Sequence, residues 1–358
     1  MLSELSGKGF RLLDRVYGRF KSDSIEVLMD KEIEKHIKVG KKIILYVTDK
    51  YDYGNKSWGL SYTYYNCYHT LLNMDYSLIC FDTDRIKQKY GKEIMSQMLR
   101  ETVYCYQPDI LFYFHSNDWI DHEIWKEISG LPTKTIYFQS DDHHQYEKTR
   151  YIWELFNFVV TTDEKGYGKR TKEGFKNVIS SQYACNHFMY KNMNLPRIYD
   201  VSFMGRCYGE RQNFINTIRD NGIDIKTFGM WWGKLGNSNR ITQSELLRIY
   251  NQSKISLDLS LASVGKVLAV KGRCFEATGC GSLLLTEETD EIKEYFIPNE
   301  EIVTYKNVSD ATEKIKYYLT HEDERLIIAK RGYERTSKEH TWEKRFTDIF
   351  SRVLSEIK

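Results

Sequence analysis

Lys271, Arg273 and Glu276 stand close enough together in the chain to bind and orient a phosphorylated nucleoside. They fall in the stretch Lys271 to Thr286, Lys-Gly-Arg-Cys-Phe-Glu-Ala-Thr-Gly-Cys-Gly-Ser-Leu-Leu-Leu-Thr. Its pattern predicts a short helix over 271–278, stopped by Gly279 and Gly281, then a buried strand over 282–286. The first turn of such a helix offers unpaired N–H groups and the positive end of the helix dipole. Two cations at that end complete a cradle for a diphosphate. Glu276, more than one turn along, is placed to accept hydrogen bonds from ribose hydroxyls. The plainer reading is that Gly-Cys-Gly only caps a helix ahead of a parallel strand.

Other residues of suitable chemistry lie at predicted strand ends. Phe203-Met-Gly-Arg206, followed by Gly209 and Arg211, reads as a strand-to-helix turn in which Arg206 could clamp a phosphate bidentately. Lys266 adds a further cation ahead of Lys271. Gly229-Met-Trp-Trp-Gly233 could hold a nucleobase against an aromatic ring, or simply pack as a loop. In the first half, the loop Asp49 to Gly59 carries Gly54, Trp58 and Gly59, and His115 to Asp118 follows another strand. These two loops are the expected acceptor side, with Gly54, Trp58, Gly59 and His115 as its residues. Ser140-Asp-Asp-His-His144 follows a third strand, and Asp141, Asp142 or His143 could serve as general base for a hydroxyl. An acidic N-cap for the next helix would account for the same residues. Adjacent residues rarely converge on one metal ion, so no metal site is expected there.

The elements that must position these groups alternate. Residues 1–40 carry apolar positions at helical spacing and read as one or two amphipathic helices on the main body. Strands are predicted at 43–48, 76–81, 110–114, 135–139, 156–161 and 177–180, with helices over 61–73, 86–106 and 119–128 between them. Residues 41–192 would form a first Rossmann-like domain. A linker at 193–200, with Pro196, leads to a second over 201–340. That domain repeats the alternation, with strands at 201–205, 223–228, 254–260, 282–286 and 302–304. A final helix over 341–358 is expected to pack back on the first domain. Strands separated by helices imply parallel sheets with both faces covered. The fold class expected is therefore α/β, two Rossmann-like domains facing a cleft, with ligands at the strand carboxyl ends.

The Arg-x-Phe-Glu-Ala and Gly-x-Leu-Leu-Thr segments within 271–286 resemble the donor-binding motif of GT-B glycosyltransferases, in the form seen in the CgeB-like, group 1 family. The resemblance continues through Tyr295-Phe296, Tyr317-Tyr318-Leu319, Ala329, Gly332, Arg335, His340-Thr341 and Arg345. It covers Asp200 to the end of the chain well and the first half loosely. It implies sugar transfer from a nucleotide-diphosphate sugar, UDP before other bases, to a hydroxyl of a glycan, protein, small molecule or modified DNA base. No further cofactor and no metal are implied. Asp82-Thr-Asp84 resembles the Asp-x-Asp metal motif of the other glycosyltransferase architecture, GT-A, but GT-B enzymes usually neutralise the diphosphate with cations and helix dipoles. One departure matters. Retaining enzymes of this kind carry a second glutamate ahead of the ribose-binding one, and its place here holds Leu268. A binding protein that keeps the fold without turnover is the alternative, and an epimerase of the same architecture is a third reading.

Bulk properties fit a cytoplasmic protein. The net charge of +2 requires no dominant nucleic-acid partner, although Lys165, Lys169, Arg170, Lys172 and Lys176 would suit phosphates if they were not simply a solvated helix face. Seven cysteines without a Cys-x-x-Cys pair read as reduced thiols. No apolar run approaches the ~18 residues of a membrane span, and the first thirty residues lack a secretory pattern. Walker, Gly-x-Ser-x-Gly and His-Glu-x-x-His motifs are absent, which leaves nucleotide-triphosphatase and hydrolase readings without their residues.

Overall fold

The computed structural model describes residues 24–114, 120–140, 142–233, 240–260 and 268–355, with the backbone alone at 142–145. Strands β1 (Glu34–His36), β2 (Ile43–Thr48), β3 (Ser77–Asp82), β4 (Ile110–Phe114), β5 (Lys134–Gln139), β6 (Phe158–Thr161) and β7 (Val178–Ser180) form a seven-stranded sheet in the order β1-β3-β2-β4-β5-β6-β7. Strands β8 (Tyr199–Met204), β9 (Ile225–Phe228), β10 (Ser253–Leu257), β11 (Leu283–Glu287) and β12 (Val303–Tyr305) form a five-stranded sheet ordered β12-β11-β10-β8-β9.

The helices of the first half are α1 (Ile25–Glu32), α2 (His69–Asn73), α3 (Thr83–Tyr90), α4 (Lys92–Tyr106), α5 (His122–Ser129), α6 (Asp142–Trp153) and α7 (Glu164–Lys172). Those of the second are α8 (Arg211–Asp220), α9 (Gln243–Asn251), α10 (Gly272–Gly279), α11 (Asp290–Tyr295), α12 (Val308–Thr320) and α13 (Glu322–Glu339), followed by α14 (Trp342–Ser355).

Every pairing is parallel except β1 on β3. The central strands read as continuous apolar runs because both faces are covered; Ile44, Leu45, Tyr46 and Val47 of β2 are all fully buried. Each sheet reverses its direction of winding next to its first parallel strand, between β2 and β4 and between β8 and β10. The loops after these strands splay apart there and leave a crevice.

Three expectations change. Residues 33–36 are not helical: Ile33 ends α1, and Glu34–His36 add an antiparallel strand to the sheet edge. The Glu34 carboxylate accepts from Tyr64 and Tyr68 hydroxyls (3.0 and 2.6 Å) and from Lys50 (3.0 Å), partners distant in sequence. The helix expected over 86–106 is broken at Gly91, whose φ of +89° only glycine adopts readily. The helix after β2 contains a π-turn, Tyr64–Tyr68, a deviation frequent at functional sites.

The last helix does return to the first sheet. Trp342, Phe346, Ile349, Phe350 and Val353 are buried in one cluster with Ile44, Phe112 and Phe138. The chain segments that cross between the halves run side by side, with Cys185 N–H donating to the His340 carbonyl (2.9 Å) and Trp342 N–H to the Cys185 carbonyl (3.0 Å). Trp342→Ala is expected to destabilise the protein by about 3–5 kcal/mol, the usual cost of emptying an aromatic site in a core. Chemical denaturation of both proteins measures it.

Candidate active-site cleft

The carboxyl ends of the two sheets face each other across a cleft with two lobes, about 770 and 460 Å³. Ser140, Tyr183 and Lys271 line both lobes. The smaller lobe is bounded by aromatic and apolar side chains such as Phe228, Met230 and Tyr250, with Arg206, Arg273 and Glu276 among them. The larger carries more charged side chains, its carboxylates (Asp163, Glu288 and Glu291 among them) outnumbering its lysines.

Helix α10 enters the cleft amino end first. Its N-cap, Lys271, supplies no side-chain cap, so the first-turn amides are not consumed by the residue that usually takes them. Gly272 allows the Tyr62 ring of the first half to approach, since a Cβ there would lie 2.6 Å from the tyrosine hydroxyl. Arg273 is anchored from below. Its Nε donates to Asp258 at the end of β10, and its Nη2 donates to the Leu259 carbonyl at 3.0 Å. The other Asp258 oxygen accepts from Thr286 and Ser260 hydroxyls at 2.9 and 3.0 Å. Burial pushes the Asp258 carboxyl up, but Arg273 and these hydroxyls hold it below the usual range.

Two carboxylates are held by amides from the opposite half. Glu276, 3% exposed, accepts from Asn66 Nδ2 of the π-turn at 3.3 Å. Glu291 accepts from Gln182 Nε2 at 2.7 Å and from Val270 N–H at 3.3 Å. Burial raises both to about 7, against the Asn66 hydrogen bond at Glu276 and the Val270 hydrogen bond at Glu291, where repulsion from Asp163 and Glu294 adds to the rise.

A family of domains described as glycosyl transferase-like matches residues 210–351. The chain is 18% identical over 287 residues to spore protein CgeB of Bacillus subtilis strain 168, a span of 74% of this chain and 88% of that protein. A glycosyltransferase from Rickettsia africae superposes with a TM-score of 0.60 at 12% identity, over 88% of this chain and all of that one. Sucrose-phosphate synthase from Thermosynechococcus elongatus (0.58, 10% identity) covers 88% of this chain and all of its own. Anabaena Alr3699/HepE in complex with UDP and glucose gives 0.58 at 11% identity, over 87% and 100% of the two chains. The chain shares the GT-B fold of these glycosyltransferases.

On this fold the residues singled out from the sequence fall in several places. Lys271, Arg273, Glu276 and Arg206 line the cleft, but the Arg273 charge is already matched by Asp258. Arg206 lies at the cleft mouth, donating to the Tyr53 hydroxyl of the first half at 3.3 Å. Gly54 faces protein: the space a side chain would need is filled by Asp84 and Gln88. Gly59 approaches Thr242 in the second half, and Trp58 lies over the Arg240 guanidinium. The backbone of Asp142 and His143 opens α6, two and three residues after Ser140, which lines both lobes. His115, Asp141 and Lys266 lie outside the described residues. Asp82 caps α3 through the Arg85 amide at 3.3 Å, and among the described residues no three metal-ligating side chains cluster. No helix among them is long and apolar enough to cross a membrane.

The basic run is not a solvated face throughout. Arg170 is fully buried over Tyr146 and Trp153 (4.0 and 3.1 Å to the ring centroids), and Lys169 pairs with Glu147 at 3.0 Å. Sequence reading missed Asp258 and Glu291. The first was read only as part of a strand, and the partners of both lie on other elements.

With both carboxyls raised to about 7, each binds its proton more tightly in the folded than in the unfolded chain, so the stability these two groups contribute falls as pH rises from about 4.5 through 7. Glu276→Gln is expected to flatten the fall. Melting temperature followed from pH 4.5 to 7.5 reads it, and an unchanged slope would contradict this account of the buried carboxyl.

Proposed function

We propose that the transferase moves a sugar from a nucleotide-diphosphate donor, UDP before other bases, to a hydroxyl acceptor. The observation that carries this reading is the uncapped amino end of α10, with Lys271 at the edge shared by the two lobes. A diphosphate there would meet backbone amides, the helix dipole and a cation at once. The nucleoside would then occupy the smaller lobe, with its ribose hydroxyls against Glu276, and the sugar would project into the larger one. Arg206 at the mouth supplies a second cation. Arg273 acts by holding the helix end in place, since its own charge is taken up by Asp258. The structural neighbour captured with UDP and glucose supports the same class of donor.

The acceptor would enter over the loops that follow β2, β4 and β5. Asp141, Asp142 or His143, at the end of β5, would take the proton from its hydroxyl. Positioning within the cleft and stabilisation of the departing diphosphate supply the remaining rate. Leu268, 39% exposed on the wall of the larger lobe, favours a second reading as a sugar-nucleotide binding protein without turnover. Release of UDP from UDP-sugars in the presence of purified protein separates the two.

Glu276→Ala is expected to weaken UDP binding about 10- to 100-fold, the loss of one or two hydrogen bonds to a charged group. Calorimetry on the folded variant measures it, and an unchanged Kd would remove Glu276 from the ribose site. A thermal-shift screen of UDP, GDP, ADP and dTDP tests the donor class itself. No shift with any of them would overturn the proposal.

A further inference from the structure

Among the described residues, two hold exposed aromatic side chains on left-handed backbone, and both face the same guanidinium. Tyr53 (φ +49°, 66% exposed) comes from the loop after β2, and Trp231 (φ +72°, 60% exposed) from the loop after β9. Positive φ is unfavourable for large side chains and persists where the surroundings enforce it. Around Tyr53 the enforcing contacts are loop hydrogen bonds, Asp52 N–H to the Gly59 carbonyl and Gly54 N–H to the Tyr51 carbonyl. Beside Trp231, the indole of Trp232 is buried and donates to the Gly205 carbonyl at 2.8 Å, which turns its neighbour outward. The guanidinium of Arg206 lies over both exposed rings, 5.5 Å from each centroid. Among the described residues Arg206 makes no ion pair; it donates to the Tyr53 hydroxyl at 3.3 Å, and the Arg240 guanidinium lies 5.2 Å from the same Tyr53 ring.

Arg206 lines the smaller lobe, as do Asp52 and Met230, the chain neighbours of Tyr53 and Trp231. We propose that Tyr53 and Trp231 form a stacking clamp for the planar base of the donor nucleotide. The Arg206 guanidinium occupies that place when no nucleotide is present. On binding, the base takes over the ring faces and the displaced guanidinium turns to the diphosphate. The inference rests on the donor reading above and adds to it the residues that grip the base. It also ties base recognition to phosphate recognition through one side chain. The pair Asp52–Arg240, which joins the same two loops, holds the Tyr53 loop down over the lobe. Because every base offers a π face, stacking supplies affinity and little choice between bases.

Calorimetric titration with UDP tests the clamp. Tyr53→Ala and Trp231→Ala are each expected to raise Kd about tenfold or more. Tyr53→Phe and Trp231→Phe, which keep a ring, should stay within about threefold of wild type on the same scale. UDP should quench tryptophan fluorescence in the wild type, and Trp231→Phe should lose most of that quench. Both side chains are exposed, so melting temperatures of the variants should match the wild type and exclude a folding defect. Wild-type binding with both alanine variants unchanged would overturn the clamp and leave the donor reading standing. Failure of the wild type to bind UDP, GDP, ADP or dTDP would overturn the donor reading itself, and the clamp with it.

Discussion

The position of one buried ion pair sets the geometry of the cleft. Asp258 ends β10 and Arg273 lies in the first turn of α10, so their contact fixes where that helix begins relative to the sheet. Taking both charges out of water is costly, and a buried pair is weak as a source of net stability. Its value here is directional. Arg273 and Arg211 both donate to the Leu259 carbonyl, and Arg211 also donates to the Arg206 carbonyl at 3.0 Å. The turns after β8 and β10 are thereby tied to the helix end at the point where the sheet changes its direction of winding. Repulsion from Arg273 adds to burial in lowering Arg211 to about 10, the mark of two cations kept close by geometry.

The contact between the halves is of mixed character. An apolar part joins Tyr65, Cys185 and Tyr190 to Cys274 and Phe275 of α10. Around it are polar contacts: Asn66 to Glu276, Gln182 to Glu291, and Tyr190 to Gln243 at 2.9 Å. In the first two, a neutral amide faces a carboxylate. Such a donor satisfies the acid without a full counter-charge, which leaves burial free to raise both carboxyls to about 7. A ligand hydroxyl presents the same donor chemistry as the amide, so exchange between them costs little. Interfaces of this kind allow relative motion of the halves more readily than a wholly apolar one.

Much of the architecture was legible because parallel strands buried on both faces announce themselves as apolar runs. β2 and β4 fall on the expected residues, and the boundaries of most other strands lie within one or two. What escaped was set by contacts distant in sequence. The strand Glu34–His36 exists because Lys50, Tyr64 and Tyr68 converge on one carboxylate, and no local pattern foretells that. The same holds for the site. Lys271, Arg206 and Glu276 reach the cleft as their spacing implied. That Arg273 spends its charge on Asp258, or that Arg170 is sealed beneath Tyr146 and Trp153, depends on which elements become neighbours.

Helix α14 belongs to the core of the first sheet, although the whole second sheet lies between them along the chain. During synthesis on the ribosome, all five strands of the second sheet emerge before residues 342–355 do. The apolar face formed by Ile44, Phe112 and Phe138 must wait uncovered through that interval, while the portion encoded later can close first. Exposed faces of this sort invite aggregation. The nascent polypeptide therefore has a defined period in which chaperone capture of its early half is most useful, and that period ends when Trp342 and Phe346 arrive.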